Sequence, residues 1–401
     1  MRLDPTHTLA ALLATVLIGP VTAAAQTPSI SGVVFADANG NGVRDPNERG
    51  LAGVAVSNQE IVLTSNSSGN FRISPGKSRI VFVSVPDGYR AVGSFWRPAT
   101  YPSAAIAFPL APIARPSAFT FVHASDTHVA PANVHRTRRL RELVDSIHPA
   151  FVLLSGDLVR DALRVGEEEA TGYYTLMTRE LALFRTPVWT VPGNHENFGI
   201  ERELSHVSRT HPLYGRGMYR HYLGPDYYSF THGGVHFVGL NTVDIDDMWY
   251  YGHVDSLQLA WLQQDLSLVP REMPVVTFDH IPFVTSLEGL AGYRDSPPAP
   301  TLVTVNGRTA FRHTVSNAAA VLAVLRARPH VLALGGHLHA AERLTYEVEG
   351  QRTRFHLTAA VVGPSEAGGL HFPSGITLYT VRGGEIDDGR FIPLGAPDRR
   401  P

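Results

Sequence analysis

The sequence predicts an α/β domain preceded by a small all-β sandwich domain. In residues 26–110, short β-branched and apolar runs alternate with turns rich in Gly, Pro and Asn, which is typical of a small sandwich. From residue 119 onwards, apolar runs alternate with longer amphipathic stretches, and this order predicts a sheet covered by helices on both faces. With 401 residues and an apolar content of 44%, the chain can bury a core in each domain.

The composition excludes several classes of site and partner. A net charge of −2 provides no general attraction for nucleic acid or for an anionic membrane surface. The chain has no cysteine, which excludes disulfide scaffolds, Cys-ligated zinc and thiol nucleophiles. Its 19 histidines are numerous for this length, and several of them follow predicted strands.

The N-terminus predicts export. Arg2 precedes an apolar stretch at residues 9–18, and three alanines at residues 23–25 resemble a cleavage site, so residues 1–25 are interpreted as a signal peptide. A membrane anchor is the alternative, but the apolar stretch is shorter than the roughly 20 residues that a span requires. No later stretch is long enough for a span, so we expect a periplasmic or secreted protein.

The N-terminal β domain is expected over residues 26–110, followed by a Pro-rich linker over residues 111–118. The spacing of the short apolar runs and turns predicts an antiparallel sandwich. The predicted strands occupy residues 29–35, 51–56, 60–64, 70–74, 79–85 and 104–108.

A calcium-type loop follows the first predicted strand. Oxygen-bearing groups recur at the spacing that wraps one Ca²⁺, and Gly42 permits the sharp turn between them. The flanking residues predict strands, so the loop is expected to stabilise a β domain; an Asn/Gly-rich hairpin that binds nothing is the alternative. The candidate ligands are Asp37, Asn39, Asn41, the carbonyl of Val43, Asp45 and Glu48.

The second domain is expected over residues 119–395. Its first half predicts strands at 119–124, 151–154 and 186–190, with helices at 133–148, capped by Asn133, and at 167–183. A hairpin over 227–240, a helix at 254–268 and a strand at 273–278 follow. Residues 285–315 predict a long loop, Ser316 a cap for a helix to 328, and the remaining strands fall at 331–334, 343–348, 353–357 and 375–381.

Polar residues close the apolar runs of this second domain. The carboxyl ends of strands in α/β sheets commonly form sites, and a buried carboxylate needs a compensating charge. Imidazole with carboxylate ligands suits Zn, Mn, Fe, Co or Ni, and seven donors fit two ions that share one carboxylate. His123 and His236 lie inside predicted strands and are interpreted as structural. The seven candidate donors are Asp126, His128, Asp157, Asn194, His280, His337 and His339.

These motifs, in this order, resemble the calcineurin-like metallophosphoesterases. The blocks are Asp126-Thr127-His128, Gly156-Asp157, Gly193-Asn194-His195-Glu196, His280 before Ile281-Pro282, and Gly336-His337-Leu338-His339. The preceding β domain is similar to that of the exported bacterial branch with a calcineurin-like phosphoesterase N-terminal domain. The resemblance implies a four-layer α/β/β/α sandwich and a dinuclear metal centre.

The resemblance also implies roles for the residues. One metal would be held by Asp126, His128, Asp157 and His339, and the other by Asp157, Asn194, His280 and His337, with a backbone contribution near His337 left open. A hydroxide bridging the metals would be the nucleophile, and His195 would protonate the leaving alkoxide or stabilise the phosphate. Glu196 and Asp157 are expected to orient neighbouring histidines. Arg160 stands where purple acid phosphatases have a tyrosine ligand, so it either contacts phosphate or is a solvated charge.

The expected function is therefore that of an exported, two-metal phosphoesterase acting on small phosphomonoesters or phosphodiesters, with Mn, Zn or Fe as the metals. A catalytically vestigial metal-binding scaffold and a calcium-dependent surface adhesion protein are the alternatives. Residues 197–225 and 285–315 are expected to shape the choice of substrate. Their aromatic and arginine side chains suggest stacking and anion contacts by Phe198, Tyr214, Arg216, Tyr219, Tyr293 and Arg294.

Overall fold

A computed structural model of the chain describes residues 28–99, 105–295, 300–367 and 369–395. The predicted signal peptide, residues 1–25, lies outside these ranges. Within them, none of the helices combines the length and the apolar character that a membrane crossing requires.

The N-terminal part forms two four-stranded sheets with a shared apolar interior. One sheet has the strand order β4-β1-β8-β6 and the other the order β3-β2-β5-β7. The strands are β1 (Ile30–Ala36), β2 (Ala55–Ser57), β3 (Val62–Thr64), β4 (Asn70–Ile73), β5 (Ile80–Val83), β6 (Tyr89–Ala91), β7 (Trp96–Pro98) and β8 (Ile106–Pro112).

Two details of this sandwich differ from the sequence prediction. The pairing of β1 with β8 is parallel, so the sheet is mixed and the prediction of a purely antiparallel sandwich was wrong. Strand β8 also extends to Pro112, inside the stretch predicted as linker, because Phe108 and Leu110 are buried and hold its end against the core.

The second part contains the remaining strands and all the helices of the described residues. The first group is β9 (Ala118–Ala124), α1 (Val134–Ile147), β10 (Phe151–Ser155), α2 (Glu167–Leu181), β11 (Val188–Val191), α3 (Arg202–Ser205), α4 (Gly217–Tyr222), β12 (Tyr228–His232), β13 (Val235–Gly239), β14 (Val243–Asp246), β15 (Trp249–Gly252) and α5 (Ser256–Ser267). The second group is β16 (Val275–Phe278), α6 (Leu287–Ala291), β17 (Leu302–Val305), β18 (Arg308–Phe311), α7 (Ala318–Leu325), β19 (His330–Gly335), β20 (Glu342–Val348), β21 (Gln351–Leu357), β22 (Ser365–Ala367), β23 (Leu370–Phe372), β24 (Gly375–Arg382), β25 (Glu385–Ile386) and β26 (Arg390–Pro393).

Two six-stranded sheets form the centre of this part. The first has the order β11-β10-β9-β24-β25, with β26 paired to β24, and its strands β9, β10 and β11 are parallel. The second has the order β12-β13-β16-β19-β21-β20, in which the four inner strands are parallel and the two edge strands antiparallel. Parallel strands bring their carboxyl ends to one edge, where the candidate donors follow them.

Successive side chains along the strands face different layers of the fold. Phe121 and Phe151 point inward and meet Phe237 of the second sheet, with ring centroids 5.5 Å and 5.0 Å apart. Their neighbours Val122 and Val152 point outward into the cluster formed with α1 and α2. Helices α5 and α7 pack on the far side of the second sheet, through side chains such as Trp261 and Val321. The result is the four-layer α/β/β/α sandwich.

The helices therefore cover one face of each sheet, and the prediction of one sheet with helices on both faces was wrong. The period of an amphipathic helix shows that it covers a sheet, but not that the opposite face of that sheet meets a second sheet. Within the stretch 285–315, the described residues also form α6 and the β17–β18 hairpin where a loop was predicted. Helix α7 is preceded by Asn317 at its N-cap, whereas Ser316 accepts a hydrogen bond from the N–H of Phe311.

Candidate metal centre

The candidate donors lie on loops that join strand ends and that are connected by backbone hydrogen bonds. After β9, the N–H of Asp126 donates to Gly156 O (3.1 Å) and that of His128 to Asp157 O (2.9 Å). After β19, the N–H of Gly336 donates to the carbonyl of His280, at 3.0 Å. Loops far apart in the sequence are thereby held at fixed distances.

The glycine in three of the motifs is required by close packing at the centre. A Cβ on Gly193 would lie 2.2 Å from Asp157 Oδ1, and one on Gly336 would lie 1.9 Å from Ser125 Oγ. Gly156 has a left-handed φ of +86°, and a Cβ on it would lie 2.6 Å from His280 Nδ1. Any side chain at these positions would displace a candidate donor or its neighbour.

The backbone is strained at the candidate donors. Non-glycine residues rarely adopt a positive φ, and each such residue costs about 1–3 kcal/mol unless its surroundings stabilise it. Such strain concentrates at functional sites. Five of the seven candidate donors have a positive φ between 41° and 71°, namely Asp126, His128, Asp157, His337 and His339.

One group of donors surrounds Asp126. His339 Nε2 lies 3.2 Å from Asp126 Oδ1 and 3.1 Å from His128 Nε2. His128 Nε2 in turn lies 3.9 Å from Asp126 Oδ1 and 3.6 Å from Asp157 Oδ2. The nitrogen and oxygen atoms of these side chains therefore point towards one small volume.

A second group shares Asp157. His280 Nε2 lies 3.2 Å from Asp157 Oδ2, 3.2 Å from Asn194 Oδ1 and 3.1 Å from His337 Nδ1. The Nδ1–H of His280 donates to the carbonyl of Ser155 at 2.8 Å, so its Nε2 is the nitrogen that can bind a metal ion. Asp157 Oδ2 faces both groups, while its Oδ1 accepts a hydrogen bond from the N–H of His195.

The donors fit divalent cations. Ligands of a tetrahedral ion with bonds of about 2.1 Å are about 3.4 Å apart, and the distances within both groups are close to this value. Asp126 Oδ1 is buried, and its neighbour within the described part of the chain is the imidazole of His339 at 3.2 Å, so this oxygen can accept a cation. His/Asp side chains close enough to share an ion form three overlapping sets, Asp126/His128/His339, His128/Asp157/His195 and Asp157/His280/His337.

The electrostatics of the cluster decide which of its groups carry a proton before a metal binds. Burial opposes ionisation of Asp157, but the charges of His280, His195 and His128 hold its pKa well below the usual range. Burial lowers the pKa of His128 to about 4 and holds that of His337 well below its ordinary value, so both imidazoles are neutral near pH 7. Burial also opposes a proton on His280, yet Asp157 raises its pKa to about 9, and a metal would have to displace that proton.

His195 lies beside both groups and is partly accessible. Its Nδ1–H donates to the carbonyl of Arg160 at 2.7 Å, which fixes the ring, and its side chain is 22% exposed. Its Nε2 lies 3.9 Å from Asp157 Oδ2. The side chain of Arg160 is exposed, which matches a solvated charge.

Contrary to the expectation, no histidine of the described residues donates a hydrogen bond to the Glu196 carboxyl group. This buried carboxylate accepts backbone hydrogen bonds from Asp157, Leu158, Val159 and Gly193, at 2.6–2.9 Å. It therefore holds the loop after β10 against the loop after β11. Burial and the charge of Asp157 raise the pKa of Glu196 to about 8, whereas its backbone hydrogen bonds act in the opposite direction.

The supporting roles of two residues near the centre were not predicted from the sequence. Asn133 was expected to cap α1, but its side chain instead accepts from the N–H of Ala130 and donates to the carbonyl of His128, so it holds a donor loop. His313 lies in the stretch predicted as a loop, and its Nδ1 is 2.6 Å from His337 Nε2. No motif or period marks His313, so no signal in the sequence could have identified it. His123 and His236, interpreted as structural, are buried with side-chain partners.

Several residues expected to contact substrate are used for packing. Phe198 and Tyr219 are buried in the core. Arg216 forms ion pairs with Asp244 (2.9 Å) and Asp255 (2.8 Å), and it is therefore not a free anion contact.

The calcium-type loop is wound around its own polar side chains. The carboxylate of Asp37 accepts from the N–H groups of Asn41 and Gly42, and that of Glu48 accepts from those of Ala38 and Asp45. The amide nitrogens of Asn39 and Asn41 both donate to Asp45 Oδ2, and Val43 N–H donates to Asn41 Oδ1. The six candidate ligands therefore belong to one compact loop.

The second part of the chain matches a known family. No curated protein matches the chain in sequence. Among solved structures, GAP50, "the anchor in the inner membrane complex of Plasmodium", is similar with a TM-score of 0.42 and 13% identity, over 69% of this chain and 85% of that one. The protein TT1561 of Thermus thermophilus has a TM-score of 0.38 and 8% identity, over 69% of this chain and 99% of that one. The calcineurin-like phosphoesterase family model matches residues 119–341, more than half of the chain. The chain therefore belongs to the calcineurin-like phosphoesterase family.

Proposed function

We propose that this chain is an exported phosphoesterase that hydrolyses phosphomonoesters or phosphodiesters at a centre for two divalent transition metals. The observation that carries the proposal is the position of Asp157 Oδ2, which lies 3.2 Å from His280 Nε2 and 3.6 Å from His128 Nε2. One carboxylate oxygen thereby belongs to two groups of imidazole, amide and carboxylate donors. Mn, Zn and Fe suit this mixture of imidazole and carboxylate.

In this proposal the two groups of side chains hold the two ions. One is bound by Asp126, His128, Asp157 and His339, and the other by Asp157 with Asn194, His280 and His337. Divalent cations at these positions would polarise the phosphoryl group and make a water molecule more acidic. The strained backbone and the close-packed glycines support the proposal, because they preorganise the donors before any ligand binds.

His195 supplies the proton in this scheme. The carbonyl of Arg160 accepts its Nδ1–H, so the ring is held with Nε2 towards the centre. A proton on Nε2 can be donated to the oxygen of the leaving group, and the imidazolium also stabilises the developing negative charge. The partial exposure of this side chain leaves room for a substrate beside it.

We also propose that the loop at residues 37–48 binds Ca²⁺ and that residues 1–25 direct export. The first proposal rests on the spacing of the oxygen donors and on their position in one loop. The second rests on the pattern of the N-terminal residues. Neither is needed for the chemistry at the metal centre.

The proposed function can be tested with the mature chain, p-nitrophenyl phosphate and bis(p-nitrophenyl) phosphate, each assayed with Mn²⁺, Zn²⁺ or Fe²⁺. Asp157→Ala should lose turnover and both metals, because it removes the oxygen common to the two groups. His195→Asn should lower kcat by about 10²–10⁴-fold with unchanged metal content, since it removes a proton donor and no ligand.

Glu142→Ala is the matched control, because Glu142 is an exposed carboxylate on α1. It should retain the turnover and the metal content of the wild type. Full turnover or two bound metals in Asp157→Ala would contradict the proposal. A wild type that binds two metals and cleaves neither ester would instead favour the vestigial scaffold.

A further inference from the structure

The second candidate metal group contains an imidazole whose outer nitrogen is held by another imidazole. His337 directs Nδ1 towards His280 Nε2, at 3.1 Å, and therefore towards the donors. Its Nε2 lies 2.6 Å from Nδ1 of His313, and the two rings are stacked with centroids 4.8 Å apart. A distance of 2.6 Å between two ring nitrogens requires one proton between them.

The direction of that hydrogen bond follows from the role of His337. If its Nδ1 lone pair is to face a cation, its proton must be on Nε2, so His337 donates and His313 Nδ1 accepts. His280 makes the equivalent hydrogen bond to the carbonyl of Ser155, which can only accept. Each imidazole of this group therefore has its inner nitrogen freed by an acceptor on the outer one.

The residues before and after His313 in the chain are both held in place. The guanidinium of Arg312 lies over the ring of Tyr250, 4.1 Å from its centroid, and donates to the carbonyl of Pro300. On the other side, the carbonyl of Thr314 packs so closely on Gly252 that a Cβ there would lie 2.2 Å away. The acceptor for His337 is therefore positioned by the backbone of residues 312–314 and by the β14–β15 hairpin.

We propose that His313 is a positioning residue that fixes the tautomer and the ring orientation of His337 and thereby strengthens binding of the second metal. The inference rests on the metal centre of the proposed function, but not on the reaction. His313 contacts neither the first group of donors nor His195 in this arrangement. Its removal should therefore affect one of the two metal sites and leave the other unchanged.

The test compares substitutions that keep or remove the acceptor. His313→Asn places a carbonyl oxygen where Nδ1 was, whereas His313→Leu has no acceptor and His313→Gln places its oxygen one atom further out. Zn²⁺ binding to the metal-free mature chain is measured by equilibrium dialysis with elemental analysis. His313→Leu and His313→Gln should weaken the second Kd by about 10–100-fold, with the first Kd unchanged, and His313→Asn should stay within a few-fold of the wild type.

A second readout follows the tautomer directly. Nitrogen-15 chemical shifts of His337 in the metal-free chain should report a proton on Nε2 in the wild type and in His313→Asn, but a mixture of tautomers in His313→Leu. His253→Leu is the matched control. His253 is a partly exposed histidine that follows β15, and it pairs with Asp244 of β14. The substitution should leave both Kd values unchanged. If His313→Leu does not fold, the comparison of His313→Asn with His313→Gln decides.

A failure of the His313 proposal can be distinguished from a failure of the proposed two-metal centre. A second Kd equal to that of the wild type in His313→Leu or His313→Gln overturns the role of His313 and leaves the metal centre intact. A wild type that binds fewer than two Zn²⁺ ions overturns the proposed two-metal centre, and this inference with it. Equal weakening of both sites would also refute it, since it would indicate general damage to the loops.

Discussion

Gly193→Ala introduces one methyl group at the point where two donor loops meet. The φ of Gly193 is outside the left-handed region, so alanine meets no backbone strain there. The added Cβ would nevertheless lie 2.2 Å from Asp157 Oδ1, 2.4 Å from the Asp157 nitrogen and 2.8 Å from His280 Cδ2. The first two atoms belong to Asp157, the residue that both groups of candidate donors share.

The size of the effect follows from these distances. Relaxing the 2.2 Å contact to an ordinary separation of about 3.2 Å moves the Asp157 carboxylate by about 1 Å, whereas metal–ligand distances tolerate about 0.2 Å. A misplacement of about 1 Å in a reacting group typically costs about 10²-fold in rate, or about 2.7 kcal/mol. We therefore expect at least a roughly 100-fold loss of kcat/KM together with loss of bound metal.

The assay combines elemental analysis of the dialysed protein, turnover of p-nitrophenyl phosphate, and thermal unfolding to confirm that the variant is folded. Gly172→Ala is the control, because Gly172 lies within α2 and no heavy atom would approach its Cβ within 4 Å. This control should keep its metals and gain up to about 1 kcal/mol of stability. A folded Gly193→Ala protein with the metal content and turnover of the wild type would refute the geometry of the centre.

Two further predictions concern the rest of the chain. Ca²⁺ at about a hundredfold excess over its Kd should stabilise the protein by about 2.7 kcal/mol, so EGTA should lower Tm, and Asp37→Ala should abolish the difference; an unchanged Tm would count against the calcium loop. Asp226 is buried, which disfavours its charge, but Arg220 and Arg216 outweigh burial and lower its pKa to about 2. The stability it provides is complete above its unfolded pKa of about 3.9 and is lost as the pH falls through about 2. Asp226→Asn should therefore cost about 3 kcal/mol at about pH 7 in urea unfolding, and this difference should shrink by about 2 kcal/mol between about pH 4 and pH 2; a difference independent of pH would contradict the ion pair.

Much of the architecture could be predicted because it depends on local patterns. The periods of apolar residues identified α1, α2 and α5, and the helix start at α5 has a side-chain cap, since Asp255 accepts from the N–H of Gln258. The ordered motifs identified the family that the sequence comparison shows. Element ends and sheet pairing were less predictable, because β8 pairs in parallel with β1, a strand about 75 residues earlier in the chain.

Some features of the candidate centre could likewise be predicted from the sequence, and others could not. The seven donor residues could be named from the sequence because each follows an apolar strand, and parallel strands end at one edge of a sheet. The observed roles of Glu196, which holds two loops together, and of Asn133, which holds the loop at His128, could not be predicted. Both residues have side chains that suit several partners, and the partner is chosen by which backbone groups lie nearby in the folded chain.

The sequence by itself determined the order of the motifs, the types of donor atom and their positions after apolar strands, because these depend on residue chemistry and short-range periodicity. Only the tertiary structure decided that one oxygen of Asp157 faces both groups of donors and that His313 lies against His337. The hydrogen bond from His337 N–H to Asp126 Oδ2 joins residues 211 positions apart. Such contacts depend on how the two sheets pack against each other, which no local pattern encodes.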